Sequence, residues 1–274
     1  YYIPSERYRK MTGAYGYPKM IAKIVVEYAD GTTSIIVSDE SWKTSPSPIT
    51  YSSLYGGENY DATLEQQGWN ESGFDDKGWK KVVIAEPHVL VSQTTAPIKV
   101  MQQFSPISIK EIKTNMWVYD FGQNMSGIPE VVVNGKRGDT IRITPAELLK
   151  EDGTANQRAT GSTSYYQYIL KGDGDETWHP RFTYYGFRYV QVDVFPTEAN
   201  RQTKIIAVKA LHTRNSAADA GSFTCSNELF NQTNKLIKWA INSNMQSVFT
   251  DCPHRERLGW QEQLHLMGNA LQYN

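Results

Sequence analysis

The hydrophobic pattern of the 274-residue chain changes its period once, near residue 219. Before that point, short β-branched and aromatic runs alternate with turns rich in Gly, Pro, Asn and Asp, which predicts a chain of many β-strands. The first two runs, 21–28 and 33–37, are separated by Asp30-Gly31, a pair typical of a tight hairpin turn. Further strands are predicted at 81–85, 98–104, 107–113, 116–121, 128–133, 140–144, 164–170, 177–194 and 204–210.

After residue 219 the apolar residues recur at helical spacing. They run from Leu229 to Val248, which predicts an amphipathic helix capped by Ser226, and a second helix is predicted from about Trp260. Each helix would carry an apolar face, so helical partners are expected beyond Asn274. The expected fold is mainly β, with two antiparallel β-sandwich domains followed by helices. The expected domains are 1–96, 97–214 and 215–274, with a linker near 91–97.

Composition excludes several classes of protein. The 28 basic and 29 acidic residues give a net charge of −1, which argues against a nucleic-acid binder. No apolar run reaches the roughly 18 residues that cross a bilayer, so no membrane insertion is expected. Cys225 and Cys252 are the only cysteines, too few for a disulfide framework. Because the sequence starts with Tyr1 and shows no signal peptide, we expect a piece of a longer chain from which any export signal has been lost.

The segment FTDCPHRERLGWQE, residues 249–262, connects the two predicted helices and is unusually rich in charged and polar residues. Catalytic groups are often displayed on such loops. Glu256 lies between Arg255 and Arg257, which favour its ionised form, so a general acid here would need apolar burial, for instance against Trp260. The alternative is an exposed connecting loop whose charges are incidental.

Metal and thiol chemistry are less well supported at this loop. Cys252 and His254 have no further ligand at a suitable spacing, since the nearest other candidate is His265. A Cys252 nucleophile with His254 as its base is also disfavoured, because Pro253 restricts the geometry between them. We therefore expect no metal and no cofactor.

A dense aromatic group upstream has two interpretations. It could form a platform for a flat or sugar-like ligand, but the period-two packing of a β-sandwich core explains it better. The core interpretation is the prediction. The residues concerned are Trp178, Tyr184, Tyr185, Phe187 and Tyr189.

The motif DCPHRERLGW at 251–260 resembles the signature of the bacterial α-L-rhamnosidases, glycoside hydrolase family 78. Segments upstream are similar to the β-domains that precede the catalytic domain of that family. These are YGGENYD (55–61), GWN (68–70), FDD (74–76), YDFGQNMSG (119–127) and PRFTYYGFRY (180–189). The resemblance therefore covers nearly all of the chain from about residue 20.

This resemblance implies β-sandwiches packed against an (α/α)6 barrel that hydrolyses terminal α-L-rhamnosides with inversion. The family's general acid corresponds to Glu256, and Asp251, Arg255 and Trp260 correspond to positions that line the rhamnose subsite. The motif has one residue fewer before Glu256 than the most familiar family pattern, and Glu262 stands near an expected acidic position. The family's general base lies in a later loop of the barrel. The implied partner is a rhamnose-containing glycoside or polysaccharide, and a periplasmic or extracellular location is expected.

A second hypothesis is a pair of carbohydrate-binding β-sandwiches without catalysis. Tyr55, Trp69 and Trp79 would then stack against sugar rings. A reading frame that continues with helical repeats would favour the enzyme, and an early stop codon would favour the binding protein.

Overall fold

The computed structural model describes Arg7 and residues 19–86, 89–198 and 203–274. Within these residues β-strands are the main regular structure, and two α-helices follow them. The first strands are β1 (Lys23–Glu27), β2 (Thr33–Val37), β3 (Lys43–Thr44), β4 (Ile49–Ser53), β5 (Gly57–Asp61), β6 (Lys80–Lys81), β7 (Ile98–Phe104) and β8 (Ser108–Lys113). The others are β9 (Met116–Asn134), β10 (Thr140–Ala146), β11 (Leu148–Leu149), β12 (Ala155–Asn156), β13 (Tyr166–Ile169), β14 (Asp175–Trp178), β15 (Tyr185–Phe195) and β16 (Lys204–Asn215). The helices are α1 (Glu228–Asn244) and α2 (Gln261–Tyr273).

Ten of these strands form one sheet around the long strand β9. The order is β4-β5-β13-β10-β15-β9-β16-β7, and β8 and β14 also pair with β9. The predicted strands 116–121 and 128–133 are a single strand of 19 residues. The polar segment between them does not form a turn, because Gly127 pairs with strands on both sides and Gly122, with φ of 74°, absorbs the local bend.

The strand pairing joins the two segments that were predicted as separate β-sandwich domains. β4 and β5 belong to the 1–96 segment, yet they extend the sheet formed by the 97–214 segment. The junction between β5 and β13 is parallel, so the antiparallel prediction is wrong for this pair. The physical reason is aromatic packing, since Tyr60 of β5 stacks on Tyr168 of β13 with ring centroids 5.8 Å apart.

The aromatic group 178–189 belongs mainly to the core, as predicted. Four of its five members have exposed fractions of 9% or less. The fifth, Tyr189, is half-buried under the Arg188 guanidinium, 5.1 Å from the ring centroid. The buried members are Trp178, Tyr184, Tyr185 and Phe187.

The hairpin prediction is confirmed, and two other strand predictions are corrected. β1 and β2 pair across a turn in which Gly31 has a φ of 82° and Asp30 accepts the Thr32 N–H at 2.9 Å.

The predicted strand 177–194 is two strands, β14 and β15, because residues 179–184 between them are not in a strand. The second correction concerns residues 81–85, of which only Lys81 belongs to a strand, β6, which pairs with β3. The Val82 N–H still donates to the Trp42 carbonyl at 3.2 Å, but Val83 is 92% exposed. The β-branched residues favour a strand, and the pairing with the segment of β3 ends at Val82 in the described chain.

Both predicted helices are confirmed, with shifted boundaries. The cap of α1 is Asn227, whose side chain accepts the Leu229 N–H at 3.0 Å, and not Ser226. Asn231 bonds to both backbone groups of Cys225, which keeps the residues before Asn227 outside the helix. α1 ends at Asn244, so Val248 lies beyond it. In the part of the chain that the structure describes, neither helix has the length and apolarity needed to cross a bilayer.

Asp139 joins three segments at one end of the sheet. Its buried carboxylate accepts hydrogen bonds from the Lys136 N–H at 2.9 Å, the Thr197 N–H at 2.8 Å and the Thr203 hydroxyl at 2.6 Å. Burial by itself raises the pKa of Asp139, but these hydrogen bonds outweigh it and lower the pKa from the ordinary 3.8 to about 2.

Because the pKa of Asp139 is lowered on folding, its carboxylate stabilises the fold above about pH 4 and loses that effect as the pH falls toward about 2. The shift corresponds to about 2 kcal/mol. We expect Asp139→Asn to lower the free energy of unfolding by about this amount at pH 7 and by clearly less at pH 3, measured by urea denaturation. Asp152→Asn is the control, because Asp152 makes similar bonds to Thr154 in an exposed turn. Equal effects of the two substitutions at pH 7 would contradict this role.

Candidate active site

The loop between α1 and α2 is closed by backbone hydrogen bonds. Asp251 and Leu258 bracket it: the Asp251 N–H donates to the Leu258 carbonyl, and the Leu258 N–H donates to the Asp251 carboxylate, both at 3.1 Å. Thr250 is tied to the end of α1 by its N–H, which donates to the Asn244 carbonyl at 2.9 Å. Residues 252–257 therefore form a compact tip with a defined backbone.

The tip of this loop rests directly on the β-sheet. The Gly186 N–H of β15 donates to the Pro253 carbonyl at 2.8 Å. A Cβ at Gly186 would lie 2.5 Å from Pro253 Cγ, so only glycine permits this approach. His254 packs edge-on against Tyr185, and its Nδ1 is 3.5 Å from the Glu147 carboxylate. The sheet thus contributes to the floor of the loop.

Glu256 is half-buried, and both of its carboxylate oxygens have donors. Oε2 accepts the Trp260 indole N–H at 2.9 Å, and Oε1 accepts from the Arg255 guanidinium at 3.2 Å. The Glu256 N–H donates to Cys252 Sγ at 3.2 Å. Trp260 is 51% exposed and contacts Glu256 through its N–H, so it does not supply the apolar burial that we expected. The carboxylate is held in place but stays open to the outside of the loop.

Arg257 is the residue whose placement the sequence did not reveal. It is only 4% exposed, and it adopts the left-handed backbone conformation with φ of 51°. That conformation costs a non-glycine residue about 1–2 kcal/mol. Its guanidinium donates to the Leu54 carbonyl and, at 3.3 Å, to the His254 carbonyl. It also lies 5.0–5.7 Å from the ring centroids of Tyr55, Tyr184 and Tyr185.

The tyrosines around Arg257 act as neutral rings. Burial raises the pKa of Tyr184 to about 12 and also raises the pKa of Tyr185, so neither is a phenolate near neutral pH. Their contact with Arg257 is therefore a cation–π interaction and not an ion pair. The alternative of an exposed connecting loop with incidental charges is wrong for Arg257, which is 4% exposed, whereas the Arg255 side chain is 52% exposed.

The loop brings together four of the five predicted site residues: Asp251, Arg255, Glu256 and Trp260. The fifth, Glu262, lies in the first turn of α2 and is exposed, and its side chain makes no hydrogen bond or ion pair with the described residues. Cys252 Sγ contacts Asp251 and the Glu256 N–H, so its hydrogen bonds within the described chain do not reach His254. No cluster of three His, Cys, Asp or Glu side chains suited to a metal ion occurs in the described ranges.

Three family descriptions match successive parts of the chain. Residues 2–102 match the α-L-rhamnosidase N-terminal domain, and residues 110–212 match the bacterial α-L-rhamnosidase concanavalin-like domain. Residues 218–274 match the bacterial α-L-rhamnosidase six-hairpin glycosidase domain. Together they define a class of multidomain glycosidases in which β-domains precede a helical domain.

The individual proteins that this chain resembles are also described as α-L-rhamnosidases. An α-L-rhamnosidase of Formosa agariphila is 35% identical over 95% of the chain, and one of Streptomyces avermitilis is 38% identical over 93%. The solved α-L-rhamnosidase of Dictyoglumus thermophilum superposes with a TM-score of 0.87 at 40% identity, covering 95% of this chain and 30% of that one. The Streptomyces avermitilis enzyme, solved with L-rhamnose, gives 0.84 at 35% identity, covering 92% and 24%. The chain belongs to the bacterial α-L-rhamnosidase family.

The chain spans 28% and 25% of the lengths of the two curated relatives. Its residues match, in order, the N-terminal, concanavalin-like and six-hairpin glycosidase domain descriptions.

The contact between Gly186 and Pro253 can be tested without any substrate. We expect Gly186→Ala to lower the free energy of unfolding by about 1–3 kcal/mol, because the new methyl group would overlap the proline ring. Gly78→Ala is the matched control, since a Cβ there meets no atom within 4 Å. Thermal and urea denaturation of both variants measure the effect, and equal stabilities would contradict the close approach of loop and sheet.

Proposed function

We propose that the protein is an α-L-rhamnosidase that removes terminal α-L-rhamnose from glycosides or polysaccharides with inversion. Glu256 is its general acid. The observation that supports this most is that Asp251, Arg255, Glu256 and Trp260 lie on one loop, with the Glu256 carboxylate anchored by Trp260 and Arg255 but still 29% exposed. A carboxylic acid held in this way can donate a proton to a glycosidic oxygen outside the loop.

Inversion requires a second carboxylate. In inverting glycosidases the acid and the base lie roughly 6.5–9.5 Å apart, which leaves room for the attacking water. The acid protonates the leaving oxygen while the base takes a proton from water on the opposite face of the sugar. The family resemblance puts that base on a later loop of the helical domain, outside these 274 residues.

The rhamnose subsite is proposed to use Asp251, Arg255, Trp260 and Glu262. The half-exposed indole of Trp260 offers a flat apolar face to a sugar ring, and the exposed guanidinium of Arg255 can donate to hydroxyl groups. Asp251 has an additional task, because its carboxylate accepts the Leu258 N–H and so shapes the loop.

We also propose that α1 and α2 open an (α/α)6 barrel. Both helices carry large apolar side chains that are exposed in the described chain, which fits helices whose partners lie in further repeats. Four leucines have exposed fractions between 52% and 70%: Leu229, Leu236, Leu264 and Leu266.

The carbohydrate-binding alternative is less well supported by its own residues. Tyr55 is 6% exposed and lies against Arg257, so it is not available for stacking on a glycan. Trp79 packs edge-on against Phe74 and donates its indole N–H to Gln66. Only Trp69, which is 62% exposed, keeps an open ring among the three.

The assignment of Glu256 predicts a dependence on the leaving group. In the full-length protein, Glu256→Gln keeps the shape of the side chain but cannot donate the proton. We expect hydrolysis of an alkyl rhamnoside to fall by about 10² to 10⁴ and hydrolysis of an activated aryl rhamnoside to fall much less. Steady-state kinetics with both substrates measure this difference.

Glu40→Gln is the control, because Glu40 is an exposed carboxylate in the N-terminal region and we expect it to leave both rates unchanged. Asp251→Asn should weaken rhamnose binding for both substrates alike. An equal loss of rate for both substrates in Glu256→Gln would show that Glu256 positions the sugar and does not protonate the leaving group.

A further inference from the structure

Arg257 lies where all three family-matched regions meet. Leu54 and Tyr55 come from the region 2–102, Tyr184 and Tyr185 from the region 110–212, and Arg257 from the region 218–274. One guanidinium contacts members of all of them. We call the Leu54 carbonyl and the rings of Tyr55, Tyr184 and Tyr185 the arginine cage.

The cage replaces a counter-ion. Within the described part of the chain no carboxylate lies within ion-pair distance of Arg257, although the side chain is only 4% exposed. A buried charge without a carboxylate is stable only where other groups compensate for its lost hydration. Here the faces of the tyrosine rings and the carbonyl oxygens of Leu54 and His254 compensate for the lost hydration of the charge. Because the guanidinium is planar, its two hydrogen bonds to these carbonyls also fix its orientation.

The cage is directly coupled to Glu256 through the backbone. Arg257 follows Glu256 in the chain, and its left-handed conformation sets the direction of the backbone at this point. Its second donor binds the His254 carbonyl, which fixes the chain two residues before Glu256 as well. Glu256 is thus flanked on both sides by backbone that the Arg257 side chain holds against the sheet.

We propose that Arg257 is a positioning residue that sets the place of the Glu256 carboxylate relative to the β-domains. Its ligand is the arginine cage and not the substrate. The inference rests on the proposed function, because it takes Glu256 to be the proton donor. In this role the regions 2–102 and 110–212 take part in catalysis by fixing the position of the Glu256 carboxylate, although neither region supplies the proton.

The alternative is that Arg257 merely stabilises the fold. The two roles differ in what they do to the reaction. Loss of folded protein lowers the rates of all substrates by the same factor, whereas a displaced acid slows those substrates that need protonation most. A displacement of about 1 Å can reduce a rate by about 10²-fold.

The test uses the full-length protein with an alkyl rhamnoside and an activated aryl rhamnoside. For Arg257→Met we expect kcat with the alkyl substrate to fall about 10²-fold, kcat with the aryl substrate to fall less than about tenfold, and KM to change little. Arg257→Lys keeps a cation among the rings and should recover most of the loss. In Glu256→Gln, adding Arg257→Met should cause no further selective loss.

Arg137→Met is the matched control. Arg137 also donates a guanidinium N–H to a carbonyl of the N-terminal region, that of Thr63 at 2.9 Å, but it is exposed and its contacts lie away from the loop. We expect it to leave both rates unchanged. If Arg257→Met does not fold, Tyr55→Leu removes one ring of the cage and should produce the same selective loss.

The outcomes separate the two proposals. Equal loss for both substrates in Arg257→Met, or in Tyr55→Leu if that is the variant that folds, overturns the positioning role while leaving the function in place. No loss in either substrate overturns it too. If the unmodified protein releases no rhamnose, or if Glu256→Gln shows no selectivity for the leaving group, the proposed function itself fails and the positioning role fails with it.

Discussion

The guanidinium of Arg257 is buried among three tyrosine rings, and the conformation of the 251–260 loop depends on that burial. A buried cation tolerates few arrangements, because each lost contact leaves charge without compensation. The left-handed backbone at the same residue is a cost that the surrounding contacts must offset. The loop therefore has a defined shape only when the sheet beneath it is complete.

The β-sheet completes the arginine cage through contacts distant in sequence. Leu54 and Tyr55 follow β4 and reach Arg257 because β5 joins β13. That junction is tight: a Cβ at Gly57, whose φ is 96°, would lie 2.1 Å from the Tyr165 carbonyl oxygen. Tyr184 directly precedes β15 and Tyr185 is its first residue. The next residue is Gly186, which allows the close approach of Pro253 because it has no side chain. The geometry near Glu256 is thus a consequence of the whole sheet.

Local signals predicted the local features, and contacts between distant segments were missed. Asp30-Gly31 located the hairpin, and helical spacing located α1 and α2, because turn chemistry and periodicity act over a few residues. The parallel pairing of β5 with β13 has no local signature. The burial of Arg257 was also missed, because an arginine in a polar loop is normally exposed. Asp251, Arg255, Glu256 and Trp260 lie within ten positions of the sequence, so the motif alone puts them on one loop, but the contacts that hold that loop are visible only in the structure.

In the proposed mechanism, Glu256 and a distant base act on opposite faces of an α-L-rhamnoside. The most direct measurement is proton NMR of the sugar released by the full-length protein during the first minutes, before mutarotation mixes the anomers. Inversion predicts that β-L-rhamnose appears first and the α-anomer grows later. Initial release of α-L-rhamnose would contradict the mechanism, and the absence of any released rhamnose would contradict the proposed activity.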